Sequence, residues 1–302
     1  MRYITPLRYP GGKQRLAPAI QSLLTENDLL GSSYVEPYAG GAGAALELLF
    51  RGAVSEVHIN DVSRPIAALW RSVVGAPEEM CRRIRSASVT VAEWQRQRHV
   101  LLHHQEYPEV EVGFSALFLN RCNRSGVLGG GLIGGLRQTG PWTMDARFPR
   151  NELIRRIELI ATRSTDIRIY NKDAEVFLDE DVATLHTVPF VYLDPPYYER
   201  AGKLYLDRYA PSDHERLARR LQREVRFTWL LSYDNVPGIR RLYESLTTLE
   251  YDIQYSAARV YRGREILILA KGLKFPLQTG LREVDASLAR YHGQAVGGVD
   301  RP

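Results

Sequence analysis

Tyr34-Val35-Glu36-Pro37-Tyr38-Ala39-Gly40-Gly41-Ala42-Gly43 starts as a short strand and breaks into a glycine-rich turn. An apolar helical stretch follows from Ala44 to Phe50, with Gly52 placed to stop it. Val57-His58-Ile59-Asn60-Asp61 then alternates like a second strand and ends on an acid, and Ile66 to Val74 reads as a further helix. Strand, glycine turn, helix and strand make one βαβ unit of a doubly wound sheet. In such a sheet the turn lies at the carboxyl end of the first strand, where ligands bind.

Working outward, the βα rhythm breaks over residues 75–164. Met80 to Ser86 and Val91 to His103 predict two charged helices, and Asn151 to Arg163 an amphipathic one with Leu153, Ile154, Ile157 and Ile160 on one face. Between them, Gly113 to Arg150 shows no clean period and reads as a loop. It carries Arg121, Arg124, Arg137, Arg147 and Arg150 against Asp145 alone, a net of four positive charges in 38 residues, among seven glycines from Gly126 to Gly140. A glycine-rich arginine loop beside a globular core reads as a surface that wraps a phosphate backbone, although a solvated loop has the same composition. The sheet resumes at Asp166 to Tyr170, Val188 to Leu193 and Arg226 to Ser232. Ser212 with Glu215 predicts a capping box for the helix reaching Leu221. Leu249 to Tyr255 and Glu265 to Lys271 can pair as an antiparallel edge. The expected fold class is therefore α/β, a doubly wound sheet from 1–74 and 165–275, with a mainly helical insertion over 75–164 and a loose tail over 276–302.

Composition is compatible with that reading. The chain has 44% hydrophobic and 25% charged residues, a formal charge of +5 and no apolar run near the ~20 residues of a membrane span. Met1 to Pro6 lacks the apolar core of a secretory signal, and Cys81 and Cys122 make neither a metal spacing nor a disulfide framework, so a reducing cytoplasm is expected.

The segment with the most chemistry is Asp194-Pro195-Pro196-Tyr197, directly after the apolar strand 188–193. Two prolines hold φ near −65° and donate no backbone hydrogen bond, so they stop the strand. The Asp194 carboxylate and the Pro195 carbonyl are left as neighbouring acceptors, which suits a donor with two hydrogens on one atom, such as an exocyclic NH₂. Tyr197 offers a flat face for stacking a base.

Four motifs together resemble the Dam-like, D12-class, alpha-group DNA adenine-N6 methyltransferases: Leu7-Arg8-Tyr9-Pro10-Gly11-Gly12-Lys13, then Val35 to Gly41, then Ile59-Asn60-Asp61, then Asp194 to Tyr197. Their order, with the insertion before the last motif, is the family's, and the resemblance covers Arg2 to Lys271. The family often has Trp where Tyr9 stands, Phe where Tyr38 stands and glycine where Ala42 stands. Ala42 costs little so long as its φ is negative.

The resemblance implies a Rossmann-like methyltransferase using S-adenosylmethionine, acting on double-stranded DNA without a metal or a membrane. Cofactor contacts would come from Tyr9, Lys13, Glu36, Tyr38, Gly40, Asp61, Asp173 and Asp194, with Asp61 accepting from ribose hydroxyls. Asp194, Pro195 and Tyr197 would be catalytic, acting on an adenine flipped out of the duplex. Asn120, Arg121, Asn123, Arg124 and Arg137 would bind DNA, as base readers or phosphate contacts. A cognate restriction endonuclease or defence-system components are the partner classes such an enzyme has. Competing readings are an amino-methyltransferase acting on cytosine N4 or RNA and a catalytically silent DNA-binding protein on the same scaffold. A nicotinamide dehydrogenase lacks support, since the spacing is not Gly-x-Gly-x-x-Gly.

Overall fold

A computed structural model describes residues 4–8, 13–198, 209–223, 225–256, 260–276 and 282–283. Among the described residues eight strands form one sheet: β1 (Ser33–Glu36), β2 (Glu56–Asn60), β3 (Ile167–Tyr170), β4 (Phe190–Leu193), β5 (Thr228–Asp234), β6 (Thr248–Ser256), β7 (Val260–Leu269) and β8 (Arg282–Glu283). Their order is β3-β2-β1-β4-β5-β7-β6-β8. The first five run parallel; β7 enters antiparallel beside β5, and β6 and β8 continue antiparallel. The chain therefore winds from β1 outward to β3, then returns to lay β4 on the other side of β1. That reversal opens a crevice beyond the carboxyl ends of β1 and β4, the position where doubly wound sheets bind ligands.

The strand interiors are apolar on both faces because helices cover both. Tyr34, Phe190, Tyr192, Leu230 and Leu267 join one core, and their neighbours Val35, Val191, Leu193, Leu231 and Ile268 join the other, as the two-residue period of a strand requires. The first core is closed by α1 (Ala17–Glu26), α2 (Gly43–Phe50) and α3 (Arg64–Gly75), the second by α8 (Ala174–Glu180), α9 (Pro211–Leu221) and α10 (Pro237–Leu242). α9 begins two residues earlier than a Ser212 cap would have it. Pro211 occupies its first turn, and the Asp213 carboxylate, rather than the Ser212–Glu215 pair, accepts the Ala210 N–H at 2.7 Å.

Residues 75–164 contain α4 (Pro77–Ser86), α5 (Val91–Leu102), α6 (Glu109–Cys122) and α7 (Arg150–Ala161). α6 corrects the expectation of a loop from Gly113. Every residue of it from Val112 to Cys122 is buried, so it shows no amphipathic period in the sequence. Gly113 lets it lie directly on α3: a Cβ there would stand 2.7 Å from the Ala68 carbonyl oxygen and the Ser72 Oγ. No helix of the described residues is long and apolar enough to cross a membrane.

Candidate active site

β1 ends in Glu36 and β4 in Leu193, and the two strands are in register with Val35 beside Val191. The glycine turn and Asp194 thereby meet at one crevice although they are far apart in the chain. The turn is pinned on both of its polar groups: the Gly40 N–H donates to Asp61 Oδ2 at 2.9 Å, and the Gly40 carbonyl accepts from Trp70 Nε1 at 2.9 Å. Asp61, just beyond β2, also accepts the Ser63 N–H through Oδ1 at 2.9 Å, so it ties the turn to the head of α3. Asn60 clamps the neighbouring loops, donating to the carbonyls of Pro37 and Lys172 and accepting the Lys172 N–H. Ala42, however, sits at φ 46°, ψ 32°. The left-handed conformation that its alanine was expected to avoid is present, at a cost of ~1–2 kcal/mol.

Asp194 is fixed through one oxygen. Ser232 Oγ, on β5, donates to Asp194 Oδ1 at 2.6 Å, Lys13 Nζ stands 3.1 Å from the same atom, and the Tyr192 hydroxyl lies 2.9 Å behind Ser232. Both contacts fall on Oδ1, so Oδ2 keeps its accepting capacity. Pro195 beside it accepts no hydrogen bond from the described residues. Burial and the charge of Glu265 push the Asp194 carboxyl above the usual carboxylate range, while Lys13 and Ser232 pull it back.

Lys13 opens the 3₁₀ turn that leads into α1 and is buried. Its ammonium donates to Glu265 Oε2 at 2.9 Å and lies 5.5 Å above the Tyr197 ring. Burial draws the Lys13 ammonium down, but Asp194, Tyr251, Glu265 and Tyr197 outweigh it and hold it well above the usual lysine value. The Tyr197 hydroxyl donates to Glu265 Oε1 at 2.7 Å, and the Tyr251 hydroxyl donates to Glu265 as well. Tyr197, expected as an open stacking face, is only 5% exposed, so it forms pocket wall in this conformation.

Of the other residues expected at the cofactor, Glu36 is buried at the end of β1, accepting from Ala45 N–H at 2.9 Å and the Tyr34 hydroxyl at 3.2 Å. Burial pushes its carboxyl up to about 8, against the pull of those two donors, and the nearby Asp194 adds to the rise. Tyr38 and Tyr209 share a hydrogen bond between hydroxyls at 2.6 Å. Asp173 is the N-cap of α8, accepting from the backbone of Glu175 and Val176. Tyr9 lies outside the described residues.

The residues expected at DNA divide. Asn120, Arg121 and Asn123 turn inward and are buried. Asn120 exchanges hydrogen bonds with the Arg8 backbone, Nδ2 to O and N–H to Oδ1, each at 2.8 Å, and also donates to the Gly126 carbonyl. Asn123 is fully buried, donating to the Val127 and Leu128 carbonyls and accepting from Trp94 Nε1. Arg121 donates to the carbonyls of Arg147 and Pro6; burial first, then Arg8, Arg156 and Arg147, bring it down to about 9. A loop rich in glycine lacks a regular ladder, and these side chains satisfy its backbone instead. Arg124 and Arg137 are exposed. So are Leu136 at 64% and Trp142 at 67%, two large apolar side chains on the same loop that the sequence reading passed over.

Against known proteins, the D12 class N6 adenine-specific DNA methyltransferase model matches residues 9–257. The chain belongs to this family. It is thus an adenine-specific DNA methyltransferase with S-adenosylmethionine as methyl donor, and the cytosine, RNA and silent-scaffold alternatives fall away. No curated protein matches the chain. Among solved structures it is similar to two of the rRNA methyltransferase aviRa from Streptomyces viridochromogenes, at 1.5 and 2.4 Å. Identity is 14% in both, over 87% of this chain and 87% or 86% of the other, with TM-scores of 0.34 and 0.32. Scores that low carry no argument about this methyltransferase's site. What the sequence reading missed in the methyltransferase is the group behind Asp194: Ser232, Tyr251 and above all Glu265. The available signal was a lone acid heading the apolar run Glu265-Ile266-Leu267-Ile268-Leu269.

Proposed function

We propose that the enzyme methylates an adenine extruded from double-stranded DNA, with Asp194 and the Pro195 carbonyl as the two acceptors of its N6 hydrogens. The observation that carries this is the division of Asp194: Oδ1 is held by Ser232 and Lys13, which leaves Oδ2 for substrate at the carboxyl end of β4. The amine lone pair of adenine is delocalised into the ring. Two acceptors on its hydrogens draw the nitrogen toward tetrahedral geometry and localise that pair. Asp194 then offsets the positive charge that grows on nitrogen, in a pocket where charges are poorly screened. Its raised affinity for protons also suits it to take the proton that the methylated nitrogen sheds.

The crevice suits a cationic nucleoside cofactor. Asp194 and Glu265 share the ammonium of Lys13, and Asp61 presents carboxylate oxygens at the end of β2. S-adenosylmethionine supplies an electrophilic methyl when bound. Asp61 would hold its ribose, the Gly40 turn with Glu36 and Tyr38 its methionine portion, and Asp173 the adenine side, with Tyr9 bordering the pocket. Lys13 acts through Asp194 rather than on the cofactor, because its ammonium is already shared between two carboxylates.

Residues 1–74 and 165–275 make the catalytic part and 75–164 the recognition part. Arg124 and Arg137 contact DNA from the exposed side of the glycine loop. Base extrusion leaves a gap in the stack, and the exposed Trp142 and Leu136 have the shape to fill it. Tyr197 stacks on the incoming base from the pocket wall.

Asp194→Ala and Asp194→Asn test the reading. Turnover in the Ala variant should fall by at least ~10²–10³, the loss seen when one preorganised contact is deleted, with S-adenosylmethionine and DNA still bound. The Asn variant keeps an acceptor without the charge and should remain badly impaired. Full turnover in Asp194→Ala would reduce the motif to a strand-ending turn.

A further inference from the structure

We propose that Glu265 is a positioning residue of the transfer site: it is the dedicated counter-ion of Lys13, and so leaves the charge of Asp194 available to the adenine amine. The inference rests on the Asp194 reading above and adds to it the group that keeps Asp194 usable.

Two carboxylates flank one ammonium here, Asp194 at 3.1 Å from it and Glu265 at 2.9 Å. Lys13 and Glu265 have side chains only 4% and 0% exposed, whereas Asp194 is 27% exposed. A lysine buried beside Asp194 alone would neutralise it. The pair would then meet a growing positive charge with no net charge of its own. Glu265 prevents that. It heads the described part of β7 nearest the pocket, in register with Tyr251 on β6 and Asp234 on β5, so the sheet itself fixes its place. It draws Lys13 to 2.9 Å, closer than Asp194 does. The hydroxyls of Tyr197 and Tyr251 also donate to it, which is what an ionised carboxylate needs at this depth. Through Tyr197 the same carboxylate also orients the ring of the catalytic motif. Lys13, Asp194 and Glu265 thus count one more carboxylate than ammonium, and Asp194 is the one of the three nearest solvent.

Glu265→Gln keeps the shape and removes the charge. The ammonium then has Asp194 as its one remaining anionic partner in the cluster. Expected are a fall in kcat of about tenfold or more, below the loss for removing Asp194 itself, and Kd values for S-adenosylmethionine and for DNA within about threefold of the parent. The acid limb of kcat should move to lower pH, since Glu265 raises the Asp194 carboxyl and a closer Lys13 lowers it. The other titratable groups facing Asp194 are Glu36 and Tyr34 from β1, Tyr192 from β4, Tyr233 from β5 and Tyr251 from β6. All four tyrosines are held well above the usual range, and Glu36 titrates near 8, so none of them loses its proton in the acid window. Glu265→Asp, which keeps the charge, should keep the parental acid limb.

The decisive arm is Lys13→Met/Glu265→Gln. If Glu265 acts through Lys13, the double variant is no slower than Lys13→Met alone. A further loss in the double variant, an acid limb that stays or rises in Glu265→Gln, or an unchanged kcat there would each overturn the proposal. Should Glu265→Gln fail to fold, the double variant, which buries no lone charge, decides by the same comparison. An inactive Asp194→Ala beside a fully active Glu265→Gln sinks this proposal alone, while an active Asp194→Ala sinks the reading beneath it.

Discussion

Replacing Glu36 by Gln isolates the charge state of an acid that the fold prefers to keep neutral. Its carboxyl rises from 4.5 to about 8 because burial at the end of β1 removes water that two hydrogen-bond donors do not replace. In the unfolded chain the same group loses its proton near 4.5. Between those values the folded state binds more protons than the unfolded state, so stability is fully present below about 4.5 and is lost as pH rises toward 8. The slope for one such group is ~1.4 kcal/mol per pH unit, or about 3 kcal/mol between pH 5.5 and 7.5. Gln is close in shape to the neutral acid, its Oε1 can still accept from Ala45 and Tyr34, and it does not titrate. Urea unfolding of parent and Glu36→Gln at pH 5.5 and 7.5 reads the effect directly. The parent should lose about 3 kcal/mol relative to the variant on going up in pH. Asp194 contributes with the same sign, but it is present in both proteins and largely cancels. A stability difference that does not change between the two pH values would show that Glu36 is ionised in the fold.

Ala42→Gly should be neutral or stabilising by up to about 1 kcal/mol in the same assay, because glycine relieves the left-handed strain at φ 46° and offsets its own entropy cost. Ala45→Gly, inside α2, should instead cost about 1 kcal/mol, and a larger loss at Ala42 than at Ala45 would refute the strain. Arg124→Ala and Arg137→Ala should each lower the salt slope of DNA binding by about 0.9, with an unchanged melting temperature. Arg121→Ala should lower the melting temperature, because its guanidinium holds the carbonyls of Arg147 and Pro6 together. A salt slope unaffected in both exposed variants would remove the loop from the DNA interface.

The βαβ unit was readable because its signals are local: a two-residue period, a turn that only small residues make, and a strand ending on Asp61. The strand before Asp194 was readable for the same reason. α6 was not, since a helix buried on all sides has no polar face to mark its period. The burial of Asn120, Arg121 and Asn123 was not readable for a different reason. Asparagine and arginine fit base edges and also fit orphan backbone groups, and the choice between them depends on burial, which the sequence of a glycine-rich loop does not encode. Glu265 escaped because its meaning is wholly tertiary. On its own strand it is an isolated acid, and only the sheet brings it to Lys13 from the other end of the chain.

That long-range assembly also explains why the short segment before Lys13 carries so many contacts. The Thr5 hydroxyl donates to the Gly41 carbonyl in the cofactor turn at 2.7 Å, while the Thr5 carbonyl accepts from Arg156 on α7 at 2.8 Å. Pro6 accepts from Arg121, and Arg8 exchanges two hydrogen bonds with Asn120, both on α6. Gly126 is the only kind of residue that fits against this segment, since a Cβ there would stand 2.3 Å from the Arg8 carbonyl oxygen and its φ is +76°. A strap of five described residues is thus bonded to the glycine turn on one side and to the insertion on the other, a few residues before the lysine that holds Asp194. Methyl transfer needs the amine placed in line, and errors near 1 Å can cost ~10²-fold in rate. On the proposed docking of DNA on the insertion, this strap would fix the register between the docking surface and the acceptors at Asp194 and Pro195. The inward turn of Asn120 and Arg121 thus bonds this strap to α6.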